Sequence, residues 1–365
     1  MTGPPAAGAQ RLAHIDGLRG LFALGVMLFH FAAWSGTGGE GAAGKIRAAV
    51  GLYFVDGFFI ISGLSLSLGA FKLDWKSWPV LAGFAIRRGF RIYPLYAFAT
   101  LVSAALLLAE TDIAQNLSGL IRLMLVNITL LFGFADASRA IPVGGWSLAL
   151  EVVFYCLFPL LILAAANSRA RTVAVAAAGA AVTLASGALL DDAETLAGQW
   201  RAYVRPWQHI GFFTLGIMLA SFRSQLAGIA ASARLALALA AASAFCGLAL
   251  HAATDTALAA PAMRGGFMLA LSAAVIAVIA PVNDTSILAR LSAWLGQISY
   301  GLYILHPVVY RAGALLGISG GLLTLLAVAV TPLLATLLYR WIEAPLIAMG
   351  AALSRRAAAP AGVSR

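Results

Sequence analysis

The sequence predicts an all-α polytopic membrane protein, with about ten transmembrane helices and one re-entrant or interfacial helix. Three observations predict it. Of the 365 residues, 62% are hydrophobic and only 10% charged, with a mean hydropathy of +0.92; a soluble chain of this length needs far more charge to cover its surface. Apolar runs of roughly 18 to 22 residues recur, the length that crosses a hydrocarbon core of about 30 Å at 1.5 Å per residue. Positive charge gathers in particular connections, as it does where Lys and Arg hold loops on the cytoplasmic side. Only helices and closed barrels satisfy the backbone in lipid, and these runs have helix length.

The runs lie at 16–34, 49–69, 92–109, 145–166, 172–190, 207–222, 235–251, 263–281, 293–315 and 321–341, with a shorter one at 118–134 interrupted by Arg122 and Asn127. The connection 71–91 holds Lys72, Lys76, Arg87, Arg88 and Arg91 against Asp74, so it is expected in the cytoplasm, with 35–48 outside. Segments 167–171, 222–234 and 282–292 are basic or balanced, 191–198 and 252–262 acidic or neutral, and the tail carries Arg355, Arg356 and Arg365. These assignments agree if 92–109 crosses once and 118–134 starts and ends on the outer side. The alternative, an eleventh span at 118–134, puts residues 167–171 outside. The expected organisation is a cytoplasmic tail (1–14), one membrane domain (15–345) and a second cytoplasmic tail (346–365). The first span reads as an uncleaved signal anchor, and no inverted repeat of the transporter kind is visible.

The net charge of +10 is explained by topology and by attraction to anionic headgroups, so no nucleic-acid partner is expected. Cys156 and Cys246 both fall in apolar runs, which offers neither a disulfide framework nor a metal-thiolate set; no metal is expected. There is no Walker loop, Rossmann glycine set, HExxH or GxSxG, which speaks against ATP coupling and protease chemistry.

Polar groups inside a span cost a few kcal/mol each, so each needs a reason. Asp16 is placed as the N-cap of the first helix. Arg19 and His30 are eleven residues apart, close to three turns, so they share a face about 16 Å apart along the axis. Arg19 either snorkels to the headgroups or holds an anion; His30, expected well inside the bilayer, is either a satisfied core histidine or a proton-handling group, since imidazole titrates near neutral pH. Arg88 and Arg91, at i and i+3, face the same way. Positive-inside topology accounts for their charge, but forked guanidiniums also suit phosphate. Trp146 reads as an aromatic-belt residue, with Ser147 beside it. Glu151, about two turns inside, needs a partner, either an arginine or a substrate hydroxyl. Residues 296–307 place Tyr300 and a second buried histidine, His306, on one polar helix. Glu343 is matched locally by Arg340.

In their order these motifs resemble acyltransferase family 3, the membrane O-acyltransferases of bacterial polysaccharides and related acceptors. The resemblance runs from Ile15-Asp-Gly-Leu-Arg19-Gly and the Arg19-x10-His30 spacing through Asp56-Gly-Phe-Phe-Ile-Ile-Ser-Gly63, Arg88-x-x-Arg91-Ile-Tyr-Pro94 and Trp146-Ser-Leu-x-x-Glu151-x-x-Phe-Tyr155. It ends with Ser299-Tyr-x-x-Tyr-x-x-His306 and Glu343-x-Pro345. It implies an acyl-CoA donor, usually acetyl-CoA, bound from the cytoplasm by Arg19, Arg88 and Arg91. It also implies that His30 acts in transfer to a hydroxyl of a carbohydrate or lipid-linked glycan on the outer side, in a bacterial inner membrane with both termini cytoplasmic. Trp146, Ser147, Glu151, Tyr300 and His306 are then acceptor-side or supporting residues, and no permanently bound cofactor is implied. His30 acts either as general base or as acyl carrier. A transporter or flippase of a glycan or small anion is the alternative, because intramembrane His and Arg also mark transport paths.

Overall fold

The computed structural model describes residues 13–110, 117–165, 168–191, 194–280 and 286–358, and among these there is no strand. The expected N-terminal tail up to residue 12, Arg365, and the connection residues 167, 192–193 and 282–285 lie outside the described residues. The principal helices are α1 (Ala13–Trp34), α2 (Gly41–Ser67), α3 (Trp78–Glu110), α4 (Leu117–Ile128), α5 (Gly145–Ala165), α6 (Arg169–Gly187), α7 (Ile210–Ser221), α8 (Ala231–His251), α9 (Pro261–Val278), α10 (Ile287–Leu315), α11 (Gly320–Leu338) and α12 (Ala344–Ala358). A π-helical turn, Tyr339–Glu343, joins the last two.

Eight described helices have the length and apolarity to cross a membrane: α1, α2, α3, α5, α6, α8, α9 and α11 continued into α12. The other two expected runs are also helical. α7 has only 12 residues, and α10 has 29 but carries Ser299, Tyr300, Tyr303 and His306 along the face it buries. α4, over the run read as re-entrant, has 12 residues, about 18 Å of helix and too short for the hydrocarbon core. It is fastened from inside. Asn127 is fully buried, its amide donates to the carbonyls of Leu123 and Arg139, and its Oδ1 accepts from the backbone N–H of Ile141.

Helix directions follow from close contacts. α1 lies parallel on α10, with Gly20 against Leu295 and Gly296 near the start of both and His30 against His306 farther along. A Cβ on Gly296 would collide with the Asp16 carbonyl, so only glycine lets these backbones meet. α2 runs antiparallel to α1, with Arg19 reaching Ser65. The short α7 packs along α2 through Gly63 and Gly216, where a Cβ would strike the carbonyl oxygen of Phe213 or Ile60. α12 returns along the start of α3. The bundle therefore has an arginine end, where α1, α3 and α10 begin, and a histidine end, where α1 finishes.

Candidate active site

A cavity of about 460 Å³ lies at the arginine end, walled by α1, α2, α3, α5, α10 and α12. Arg19, Arg87, Arg88 and Arg91 all line it. The last three come from one turn and a quarter of α3, and Arg19 reaches in from α1. Arg19 donates from Nη2 to Ser65 Oγ at 3.0 Å, and its Nη1 is 3.5 Å from Asp16 Oδ1. Arg87 donates to Ser354 Oγ on α12. Arg91 Nη1 is 3.7 Å from Glu343 Oε2, which sits behind the wall in the π-helical turn. Arg88 has no carboxylate partner among the described residues. Its guanidinium lies 5.7 Å from the Tyr155 ring centroid, and its Nε is buried without an acceptor.

The opposite wall is polar but not cationic. Glu151 Oε1 accepts from Ser62 Oγ and from Tyr155 Oη, both at 2.6 Å. Tyr155 sits one turn beyond Glu151 on α5, the i, i+4 spacing that brings helical side chains together. Tyr300 donates from Oη to the Ile92 carbonyl at 2.7 Å, tying α10 to α3. Ser147 Oγ and Tyr303 Oη are 2.8 Å apart, and both reach the carbonyl of Gly144, a glycine at φ +86° where a side chain would be strained. Both side chains line the cavity.

One turn of α10 beyond Tyr303 lies the histidine pair. His306 Nε2 is 3.0 Å from His30 Nδ1, with ring centroids 5.0 Å apart. His306 is fully buried and His30 half-buried. Trp34, the last residue of α1, stacks on His30 at 5.0 Å. His30 thus lies one turn from the end of its helix, not deep within it, because α1 stops at Trp34. Neither histidine lines the cavity.

A second buried polar cluster lies off the cavity. His209 Nδ1 is 2.7 Å from Asp56 Oδ1, with His209 0% and Asp56 1% exposed. His209 Nε2 is 3.0 Å from the Tyr203 carbonyl. This pair ties the start of α7 to the middle of α2, and a buried pair of this kind is tolerated only with such complete hydrogen bonding.

The structure brings Arg19, Arg88, Arg91, Ser147, Glu151 and Tyr300 into one cavity, joined by Asp16. It brings His30 and His306 together elsewhere. Four readings change. Asp16 is not the N-cap: helix already runs through Ala13, and Asp16 turns inward to pair with Arg19. Trp146 is not a belt residue: it is 8% exposed, packed on Trp200 and His209 at 5.4 Å because the segment 199–209 folds over it. Glu343 pairs with Arg91 rather than Arg340. Residues 346–358, read as tail, are helical, and Ile347 and Ala351 line the cavity. Arg87, Ser62, Ser65, Tyr155 and Tyr303 escaped selection. Arg87 was detectable as i, i+4 to Arg91, and Tyr155 and Tyr303 stood inside motifs already singled out. Nothing local marked Asp56 and His209 as partners.

Among the described residues there is no group of His, Cys, Asp and Glu able to hold a metal ion. A family model described as an acyltransferase domain matches residues 12–341, which takes in every residue of the cavity up to Tyr339 and both histidines. Neither curated proteins nor solved structures give a match.

Proposed function

The chain belongs to acyltransferase family 3, and from that premise we propose that it moves an acyl group, most simply acetyl, from acyl-CoA to a hydroxyl of a carbohydrate acceptor such as an exported polysaccharide. The observation that carries this reading is the cavity with four arginines, two of which, Arg87 and Arg88, have no carboxylate partner among the described residues. Guanidiniums gathered in a poorly solvated wall are costly unless something anionic completes them, and the phosphates of CoA match their forked geometry. In this reading the arginine end is cytoplasmic, the membrane is a bacterial inner membrane, and both termini face the cytoplasm.

The donor phosphates bind Arg19, Arg87, Arg88 and Arg91, and the thioester arm points along the cavity toward Ser147 and Tyr303. Transfer takes place where the arm meets His30. His30 takes the proton of the acceptor hydroxyl while its oxygen attacks the thioester carbonyl; the C–S bond breaks, and the proton passes to the departing thiolate. In the alternative order, His30 carries the acyl group before the hydroxyl receives it. The second order suits a donor and an acceptor that approach His30 from separate compartments. Either order needs the thioester arm to reach beyond the cavity, since neither histidine lines it. The test is transfer of label from [14C]acetyl-CoA to glycan in membranes carrying the protein. His30→Ala is expected to abolish transfer and spare acetyl-CoA binding. Full activity in that variant, or movement of glycan without any acyl change, refutes the proposal.

A further inference from the structure

We infer that His306 is a positioning residue for His30, accepting its Nδ1 proton and leaving Nε2 of His30 as the reacting atom. The inference rests on the reading above, in which His30 handles the acyl transfer.

Hydrogen bonding fixes the protons. Nδ1 of His306 lies 3.0 Å from the Leu302 carbonyl oxygen. A carbonyl only accepts, so this nitrogen carries the hydrogen, and in a neutral ring Nε2 is then a lone pair. That lone pair lies 3.0 Å from Nδ1 of His30. Nδ1 of His30 also faces a carbonyl, that of Val26 at 3.0 Å, and must itself be N–H. The one hydrogen on His30 Nδ1 is therefore shared between the Val26 carbonyl and His306 Nε2, and His306 Nδ1–H donates to the backbone. Nε2 of His30 is left with a free lone pair and makes no hydrogen bond to a described residue.

The arrangement stabilises what forms in the reaction. Positive charge develops on the His30 ring when Nε2 takes up either a proton or an acyl group. Its Nδ1–H then points at the His306 lone pair, and the charge is delocalised toward a second imidazole. Val26 alone, in the same helix, orients the ring but offers only a carbonyl already used by the helix. His306 is itself held rigidly: it is 0% exposed and touched by the rings of Phe31, Trp34 and Tyr303. This is the role a carboxylate plays in a Ser-His-Asp triad, filled here by a neutral ring where a charge is expensive.

Two variants separate this role from packing. His306→Phe keeps a ring of similar size and removes the acceptor; His306→Gln puts an amide oxygen near the position of Nε2. The assay is the rate of label transfer at saturating [14C]acetyl-CoA in native membrane vesicles, normalised to protein amount, with the half-saturating acetyl-CoA concentration read alongside. His306→Phe is expected to lower the saturated rate by about 100-fold with half-saturation unchanged, and His306→Gln to recover at least about a tenth of the wild-type rate. If the phenylalanine variant does not fold, His306→Leu serves as the variant lacking the acceptor. An acceptor-free variant that keeps the wild-type rate, or a folded His306→Gln no better than it, overturns the inference. His30→Ala runs in parallel. Full activity there overturns the underlying reading, whereas an inactive His30→Ala beside a fully active His306→Phe overturns this inference alone.

Discussion

Arg88→Ala tests the proposed donor role of the cavity at an arginine that has no carboxylate partner among the described residues. Arg19 shares its charge with Asp16, Arg91 with Glu343, and Arg87 is held by Ser354. Arg88 rests on the Tyr155 ring with no carboxylate among the described residues, so its charge is available to a ligand. Counting Glu343 behind the wall, four arginines face three carboxyl groups, and losing Arg88 removes the cationic excess. A hydrogen bond to a charged group contributes about 1.5–3 kcal/mol, so acetyl-CoA affinity should fall about 10- to 100-fold. Arg88→Lys should recover only part of this, because an ammonium lacks the fork and stacks poorly on Tyr155. The assay is calorimetric titration of purified protein in nanodiscs with acetyl-CoA at two salt concentrations. An Arg88→Ala affinity within twofold of wild type, in a protein of unchanged thermal midpoint, would refute the donor assignment.

Three further outcomes concern the scaffold. Asp56→Ala leaves His209 buried without its partner and should destabilise the fold by about 3–5 kcal/mol, read as a lowered thermal midpoint in detergent; an unchanged midpoint would show that the pair does not hold α7 to α2. Tyr155→Phe removes one of two donors to Glu151 Oε1 and should cost about 1.5–3 kcal/mol by the same measurement, with Ser62→Ala costing a similar amount. Gly63→Val drives a side chain into the Phe213 carbonyl and should cost about 1–3 kcal/mol or more, whereas the same change at Gly89, which has nothing within 4 Å, should not produce that clash.

The sequence alone determined the class of fold, the presence of the long apolar helices, and much of the arginine cluster. Hydropathy acts over a single span, so α1, α2 and α5 could be read directly from apolar runs. The shared face of Arg88 and Arg91 is equally local, since helical periodicity puts i and i+3 together whatever the neighbours do. The start of α1 misled because local chemistry made Asp16 look like a cap, while the buried Ile15 before it carries the helix back to Ala13. Only the tertiary structure decided who meets whom. His30 and His306 are separated by 276 residues, Asp56 and His209 by 153, and Ser62 and Glu151 by 89. Those meetings depend on helix direction and on the depth at which helices interlock, which glycines such as Gly20, Gly63, Gly216 and Gly296 set by letting backbones touch. Interhelical register has no short-range signature in a sequence. For that reason the arginines could be expected in one place, but not that Arg19 and Arg91 would be paired with carboxylates while Arg87 and Arg88 have none among the described residues. Nor could the sequence show that the two histidines would lie together just beyond the cavity's end.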